Sequence, residues 1–162
     1  MLKQWASARE CWGGVHTLID RWLEQRGELL EHYAALERAC DSDLEIADRA
    51  LVDRFGEALV DYVSTGHFEL YPRLCEECRL FDDEAALQTG HLLLENMDPS
   101  TQLALDFNDA YADETSFKEN RLQITAWLDR LARVLKDRFA LEDVLIARLH
   151  ADHADVSDKV SG

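Results

Sequence analysis

Arg138 and Glu142 stand four residues apart in an otherwise apolar helical seam, the spacing at which side chains on one helix face meet. Arg26 interrupts a second seam in the same way, and His67 falls on the flank of a third apolar stripe. A charge at a buried position is costly unless it is paired and hydrogen-bonded. Three outcomes are open: the long arginine stems pack inside while their charged ends reach water, the four residues form an internal polar network, or they line a cavity that holds a ligand.

The ligand most often built into helical bundles from inward His and Glu is a pair of metal ions, held through Glu-x-x-His repeats on facing helices. The chain has six histidines, at 16, 32, 67, 91, 150 and 153, yet contains no Glu-x-x-His. Its closest helical pair, His150 and His153, falls where the apolar pattern fades, and arginines in the seam would repel cations. Cys75-Glu-Glu-Cys78 has the spacing of a redox or zinc motif. Tetrahedral zinc needs two further ligands, and a reactive thiolate favours a helix N-terminus, whereas this pair sits near a helix C-terminus beside two carboxylates. No metal, cofactor or catalytic residue is expected from these patterns. A phosphate-cradling glycine loop, a nucleophile elbow and a dinucleotide fingerprint are all missing from the sequence.

The elements that must carry these residues are helices. Only two prolines and seven glycines interrupt 162 residues, of which 47% are hydrophobic, and no segment alternates with period two. The first helix is expected from Gln4 to Arg38 on the seam Ala8, Trp12, Val15, Ile19, Trp22, Arg26, Leu29, Tyr33 and Leu36, with Gly13-Gly14 a point of bending or breakage. Ser42 with Glu45 has capping-box spacing and opens a second helix reaching Leu80, kinked near residues 68 to 72 by Pro72. A third helix follows Asp82-Asp83-Glu84, breaks at Asp98-Pro99-Ser100 and resumes to Ala112. Ser116 with Glu119 opens a fourth, running to His150 on the seam Ile124, Leu128, Leu131, Leu135, Arg138, Glu142, Leu145 and Leu149. Four amphipathic segments with short connections predict an all-α, antiparallel up-and-down four-helix bundle. One domain spans residues 1–162, with a frayed tail at 151–162.

A helical wheel divides residues 59 to 74 into two faces. Leu59, Val63, Leu70 and Leu74 form a core stripe, and Asp61, Ser64, Phe68 and Tyr71 collect in another sector. Aromatics framed by acids compose a protein-binding patch, with apolar anchors for affinity and charge for steering. The same aromatics could instead pack against a second neighbouring helix.

Charge narrows the partners. With 33 acidic and 17 basic residues the formal net charge is -16. Such a surface repels nucleic acid and anionic lipid and attracts a basic partner. No stretch approaches the roughly 18 apolar residues that span a bilayer. The N-terminus lacks the apolar core of a signal peptide, so a cytoplasmic location with reduced cysteines is expected.

Asp20-Arg-Trp-Leu23, Leu59-Val-Asp-Tyr-Val-Ser-Thr-Gly-His-Phe68 with Tyr71 and Arg73-Leu74, and Arg138-Phe-Ala-Leu-Glu-Asp143 with Leu145-Ile146 together resemble the Rsd/AlgQ family of bacterial anti-sigma regulators. The resemblance covers most of the chain, in the same order and at similar spacing. It implies a four-helix bundle, without catalysis, that binds the fourth conserved region of the primary sigma factor of RNA polymerase and sequesters it. Enterobacterial members have also been tied to phosphotransferase and stringent-response proteins. Carried over residue by residue, the sigma contact falls on Asp61 first, then Ser64, Phe68 and Tyr71. Asp20, Trp22, Leu141, Glu142 and Asp143 contribute further, and Arg26, His67, Arg138 and Glu142 are assigned to an internal network. Pro72 and the Cys75–Cys78 pair are not features of the family motif. The alternative is a metal- or small-ligand-binding bundle using the same inward polar residues.

Overall fold

In the computed structural model, residues 2–42 and 48–154 are described, the side chains of 2–6 excepted. Apart from short turns between elements they are helical, with no strand among them, and the fold is an all-α helical bundle of long helices, some of them bent. Helix α1 spans Leu2–Asp41 without interruption. Gly13 and Gly14 therefore neither break nor terminate it, although glycine weakens a helix locally. The Ser42–Glu45 capping box lies partly outside the described residues.

The expected second helix is a composite: α2 (Arg49–Thr65), a π-helical turn at Gly66–Leu70, and α3 (Tyr71–Leu80). The proline has no N–H to give the preceding turn, so that turn widens to i→i+5 bonding and the helix carries on past Pro72. The backbone N–H of Tyr71 donates to the Gly66 carbonyl, closing the wide turn. Helix α3 ends on Asp82, whose φ of 56° is left-handed. Asp82 N–H donates to Arg79 O at 3.2 Å and Asp83 N–H to Cys78 O at 2.8 Å, the paired bonds of a Schellman ending.

Asp83 then caps α4 (Glu84–Glu95), accepting from the Ala86 N–H at 3.1 Å. The break before α5 (Asp98–Ala110) falls at residues 96 and 97, and Pro99 occupies its first turn, where its missing N–H costs no intrahelical bond. The fourth helix starts three residues earlier than the Ser116–Glu119 spacing predicts. Asp113 is the cap of α6 (Glu114–Asn120), accepting from Ser116 N–H at 2.7 Å. A 3₁₀ turn, Arg121–Gln123, leads into α7 (Ile124–Leu149). Residues 151–153, expected to fray, form a further 3₁₀ turn whose His153 is buried.

The chain divides into two compact units, one made of Met1–Trp22, Thr65–Asp98 and Arg138–Gly162, the other of Leu23–Ser64 and Pro99–Asp137. In the first, Val15, Trp22, Leu70, Leu74, Leu145 and Leu149 are buried, and α4 meets α7 closely at Gly90. A Cβ there would stand 2.7 Å from a Leu149 methyl. The second unit is centred on Phe107, fully buried, with ring centroids 5.3 Å from Phe55, 5.0 Å from Tyr111 and 5.8 Å from Trp127. Edge-on and tilted aromatic packing of this kind adds to area burial. Phe107→Ala is expected to cost about 3–5 kcal/mol, because the rigid rings around it cannot close the cavity. Urea unfolding monitored by tryptophan fluorescence measures the loss.

Candidate functional site

Asp61 is exposed and Ser64 half-exposed near the end of α2, and Phe68, in the π-turn, leaves 75% of its surface in solvent. His67 is exposed beside it, its ring edge-on to that of Phe68 at 4.8 Å. His67 therefore does not belong to the interior. The other side of the Phe68 ring borders a groove of about 430 Å³ against α1, walled by Leu18, Arg21 and Pro72. Arg21 is held across it by Glu69 at 3.3 Å, an exposed pair that contributes little to stability. Asp20 and Asp143 are exposed and Leu141 half-buried.

Three residues named for the sigma contact are inside: Trp22, Tyr71 and Glu142, at 0%, 5% and 0% exposure, the last of them also assigned to the internal network. For Tyr71 the cause is the π-turn. A wheel advancing 100° per residue assumes uniform α geometry, and the wider turn ahead of Tyr71 rotates it off the sector it would share with Phe68. Gly66 makes room for the result, since a Cβ at that position would lie 3.0 Å from the Tyr71 hydroxyl and ring. Trp22 sits on the seam of α1, and Glu142 on that of α7, so periodicity alone places both inward.

The buried Tyr71 closes a ring of hydrogen bonds. Its hydroxyl donates to Glu142 Oε2 at 2.6 Å and accepts from Arg138 Nη2 at 2.9 Å, while Arg138 Nε reaches the same carboxylate oxygen at 3.4 Å. Arg138 is 1% exposed, so its charged end does not reach water. Burial pushes the Tyr71 phenol far up, with the Glu142 carboxylate adding to it and Arg138 opposing, so the hydroxyl keeps the proton it donates. In the second unit the Arg26 Nε donates to the Tyr62 hydroxyl at 3.1 Å.

A second buried cluster was legible only in part. Glu77, fully buried, receives His150 Nδ1 on Oε1 and His153 Nδ1 on Oε2, each at 2.6 Å. His153 Nε2 reaches Asp83 Oδ2 at 2.9 Å, and His150 Nε2 faces His16 Nδ1 at 3.1 Å. The available signals were that Glu77 extends the stripe Leu70–Leu74 and that His153 stands four residues beyond Leu149. Both were hidden by reading residues 75 to 78 as a cysteine motif and residue 151 onward as tail. Cys75 and Cys78 are buried free thiols, and burial, then the Glu77 charge, pushes Cys78 up to about 12. Such thiols are poor nucleophiles at neutral pH.

Among the described residues no group of three or more His, Cys, Asp or Glu side chains could hold a metal ion. No described helix is long and apolar enough to cross a membrane. The described residues thus form an all-helical bundle in which Arg138 and Glu142 are paired in the interior while the Phe68 ring is exposed. The family model "Regulator of RNA polymerase sigma(70) subunit, Rsd/AlgQ" matches residues 1–150, and the chain belongs to the Rsd/AlgQ family. It is 34% identical over 150 residues to the regulator of sigma D of Enterobacter sp. (strain 638), covering 91% of this chain and 88% of that one. It is 32% identical over 154 residues to the regulator of sigma D of Pectobacterium atrosepticum, covering 93% and 99%, and 32% identical over 149 residues to that of Salmonella paratyphi A, covering 90% of each.

Removing one partner of a buried ion pair strands the other. Glu142→Leu should therefore destabilise the protein by about 3–5 kcal/mol, and the triple change Tyr71→Phe, Arg138→Met and Glu142→Leu should recover much of that loss. Denaturant midpoints of the two variants against the parent decide whether the ring acts as one unit.

Proposed function

We propose that this chain regulates transcription by binding the fourth conserved region of the primary sigma factor and sequestering it, acting stoichiometrically and without catalysis. Membership of the Rsd/AlgQ family over residues 1–150 carries the reading, since that family's description names the sigma(70) subunit. The relatives it matches over nearly their whole length are named for the regulation of sigma D. Charge supports it. A protein region that reads promoter DNA is basic, a chain of net charge -16 is its electrostatic complement, and occupation of a DNA-reading surface by acids excludes DNA from it.

The residues assigned to the contact are Asp61, Ser64 and Phe68, with Asp20, Leu141 and Asp143 as further contributors. Phe68 supplies the aromatic anchor, because a large ring left in water gains most from desolvation on docking. Asp61 supplies steering and orientation. Trp22, Tyr71 and Glu142 act from inside, holding the helices that present this surface.

Asp61→Arg should weaken binding to a purified sigma fragment by at least about tenfold, equivalent to roughly 1.4 kcal/mol, with the helical circular dichroism unchanged. Undiminished affinity would remove Asp61 from the contact. Binding of the parent protein should also fall as salt rises from about 0.05 to 0.5 M, because the Debye length contracts to a few ångströms over that range. An affinity indifferent to salt would show that the acidity plays no part in recognition.

A further inference from the structure

We propose that Glu77, His150, His153 and Asp83 form a proton-operated latch, which fastens the 3₁₀ turn after α7 to α3 while His153 is a cation and frees it when His153 loses its proton. The argument begins with valence. A neutral imidazole has one N–H, and its other nitrogen presents a lone pair. Both nitrogens of His153 lie within hydrogen-bonding reach of carboxylate oxygens, Nδ1 at 2.6 Å from Glu77 and Nε2 at 2.9 Å from Asp83. Two carboxylates can be satisfied together only if the ring carries both protons. His150 differs: Nδ1 alone faces a carboxylate, and Nε2 faces the imidazole of His16, so one proton on His150 satisfies it.

The surroundings make the loss of that proton consequential. From α3, Glu77 presents a fully buried charge, with the Cys78 thiol beside it. The turn after α3 adds Asp83, fixed in place as both the Schellman terminus of α3 and the cap of α4. From α7, Arg148 reaches Asp83 at 3.3 Å and, one turn on, Asp152 at 3.5 Å. Helix α1 contributes His16 and Trp12; the Trp12 ring stacks on His150 at 4.6 Å, and its Nε1–H donates to the His150 carbonyl at 3.1 Å. Phe81 stacks on the His153 ring at 4.7 Å. With His153 charged, two cations, Arg148 and His153, offset Glu77, Asp83 and Asp152. With His153 neutral, Arg148 alone stands against three carboxylates, one of them without access to water, and a nitrogen lone pair points at a carboxylate oxygen.

Titration directions agree with this geometry. Burial pulls His153 down, but the hydrogen bonds it donates to Glu77 and Asp83, with the attraction of their charges, outweigh it and leave the imidazole above its ordinary value of 6.5. Asp83 is pushed up by burial and pulled down further by His153, its backbone bond to Ala86 and Arg148, ending below the ordinary carboxylate value. A histidine raised on folding adds stability that is complete below its unfolded pKa and is lost as pH rises through the folded one. A depressed aspartate adds stability that is lost as pH falls through its folded value. The latch is therefore closed between the lowered Asp83 value and the raised His153 value, and opens as pH climbs through the latter. His153 stands beyond residue 150, where the match to the family model ends.

The test is a histidine side-chain NMR titration of the full chain from about pH 6 to about pH 10, with amide exchange at His153 followed over the same interval. His153 should hold its proton above about pH 6.5. The His153 amide, which donates to His150 O at 3.0 Å, should lose about tenfold or more of its protection, corrected for intrinsic exchange, as the ring titrates. Glu77→Gln should return the titration toward the ordinary value and flatten the pH dependence. Should that variant fail to fold, Asp83→Asn keeps a helix-capping side chain while removing the second carboxylate, and should lower the His153 titration in the same direction. A parent His153 that titrates at or below the ordinary value overturns the latch, and so does protection that stays constant through its titration.

Discussion

A charge that cannot reach water must be answered inside, and in this protein that constraint organises the pairing of α3 with α7. Arg138 has no path to solvent, so Glu142 and Tyr71 are committed to it, and Tyr71 can take part only because its hydroxyl both donates and accepts. Further along α3 Glu77 plays the corresponding part, with each carboxylate oxygen engaged by a histidine just beyond the end of α7. The two clusters fix which residues of α3 oppose which residues of α7 more stringently than leucine packing could, since apolar contacts tolerate sliding and a buried ion pair does not.

The π-turn at Gly66–Leu70 is the geometric condition for this pairing. Without it Tyr71 would face outward with Phe68, and Arg138 would lose one of its partners. With it, one aromatic goes in and one stays out: Tyr71 joins the interior ring and Phe68 keeps three-quarters of its surface in solvent. Gly66 permits the exchange, because a Cβ would occupy space that the Tyr71 ring takes. The same few residues thus set both an interior hydrogen-bond ring and an exposed aromatic at the surface.

The helices themselves were legible because each carries an unambiguous 3.6-residue period, and the inward charges Arg138 and Glu142 were legible because they violate that period at the right spacing. Capping was less so. Ser116 has capping-box spacing with Glu119, yet Asp113, three residues earlier, is the cap, since either side chain can accept a backbone N–H and the chain entry decides between them. His67 looked like an interior residue on a uniform wheel and is at the surface. Glu77 lies on the seam but was masked by the cysteines flanking it.

By itself the sequence determined the all-helical class, the membership that the Asp20–Leu23, Leu59–Phe68 and Arg138–Asp143 motifs signal, and the net charge of -16. These depend on periodicity, residue identity and charge, which are properties of the chain read in order. Only the tertiary structure decided which way Tyr71 and His67 face and that Glu77 gathers two histidines from more than 70 positions away. A side chain's direction past a widened turn depends on accumulated rotation, and a hydrogen bond between distant positions depends on how helices pack. Neither quantity is encoded in local spacing.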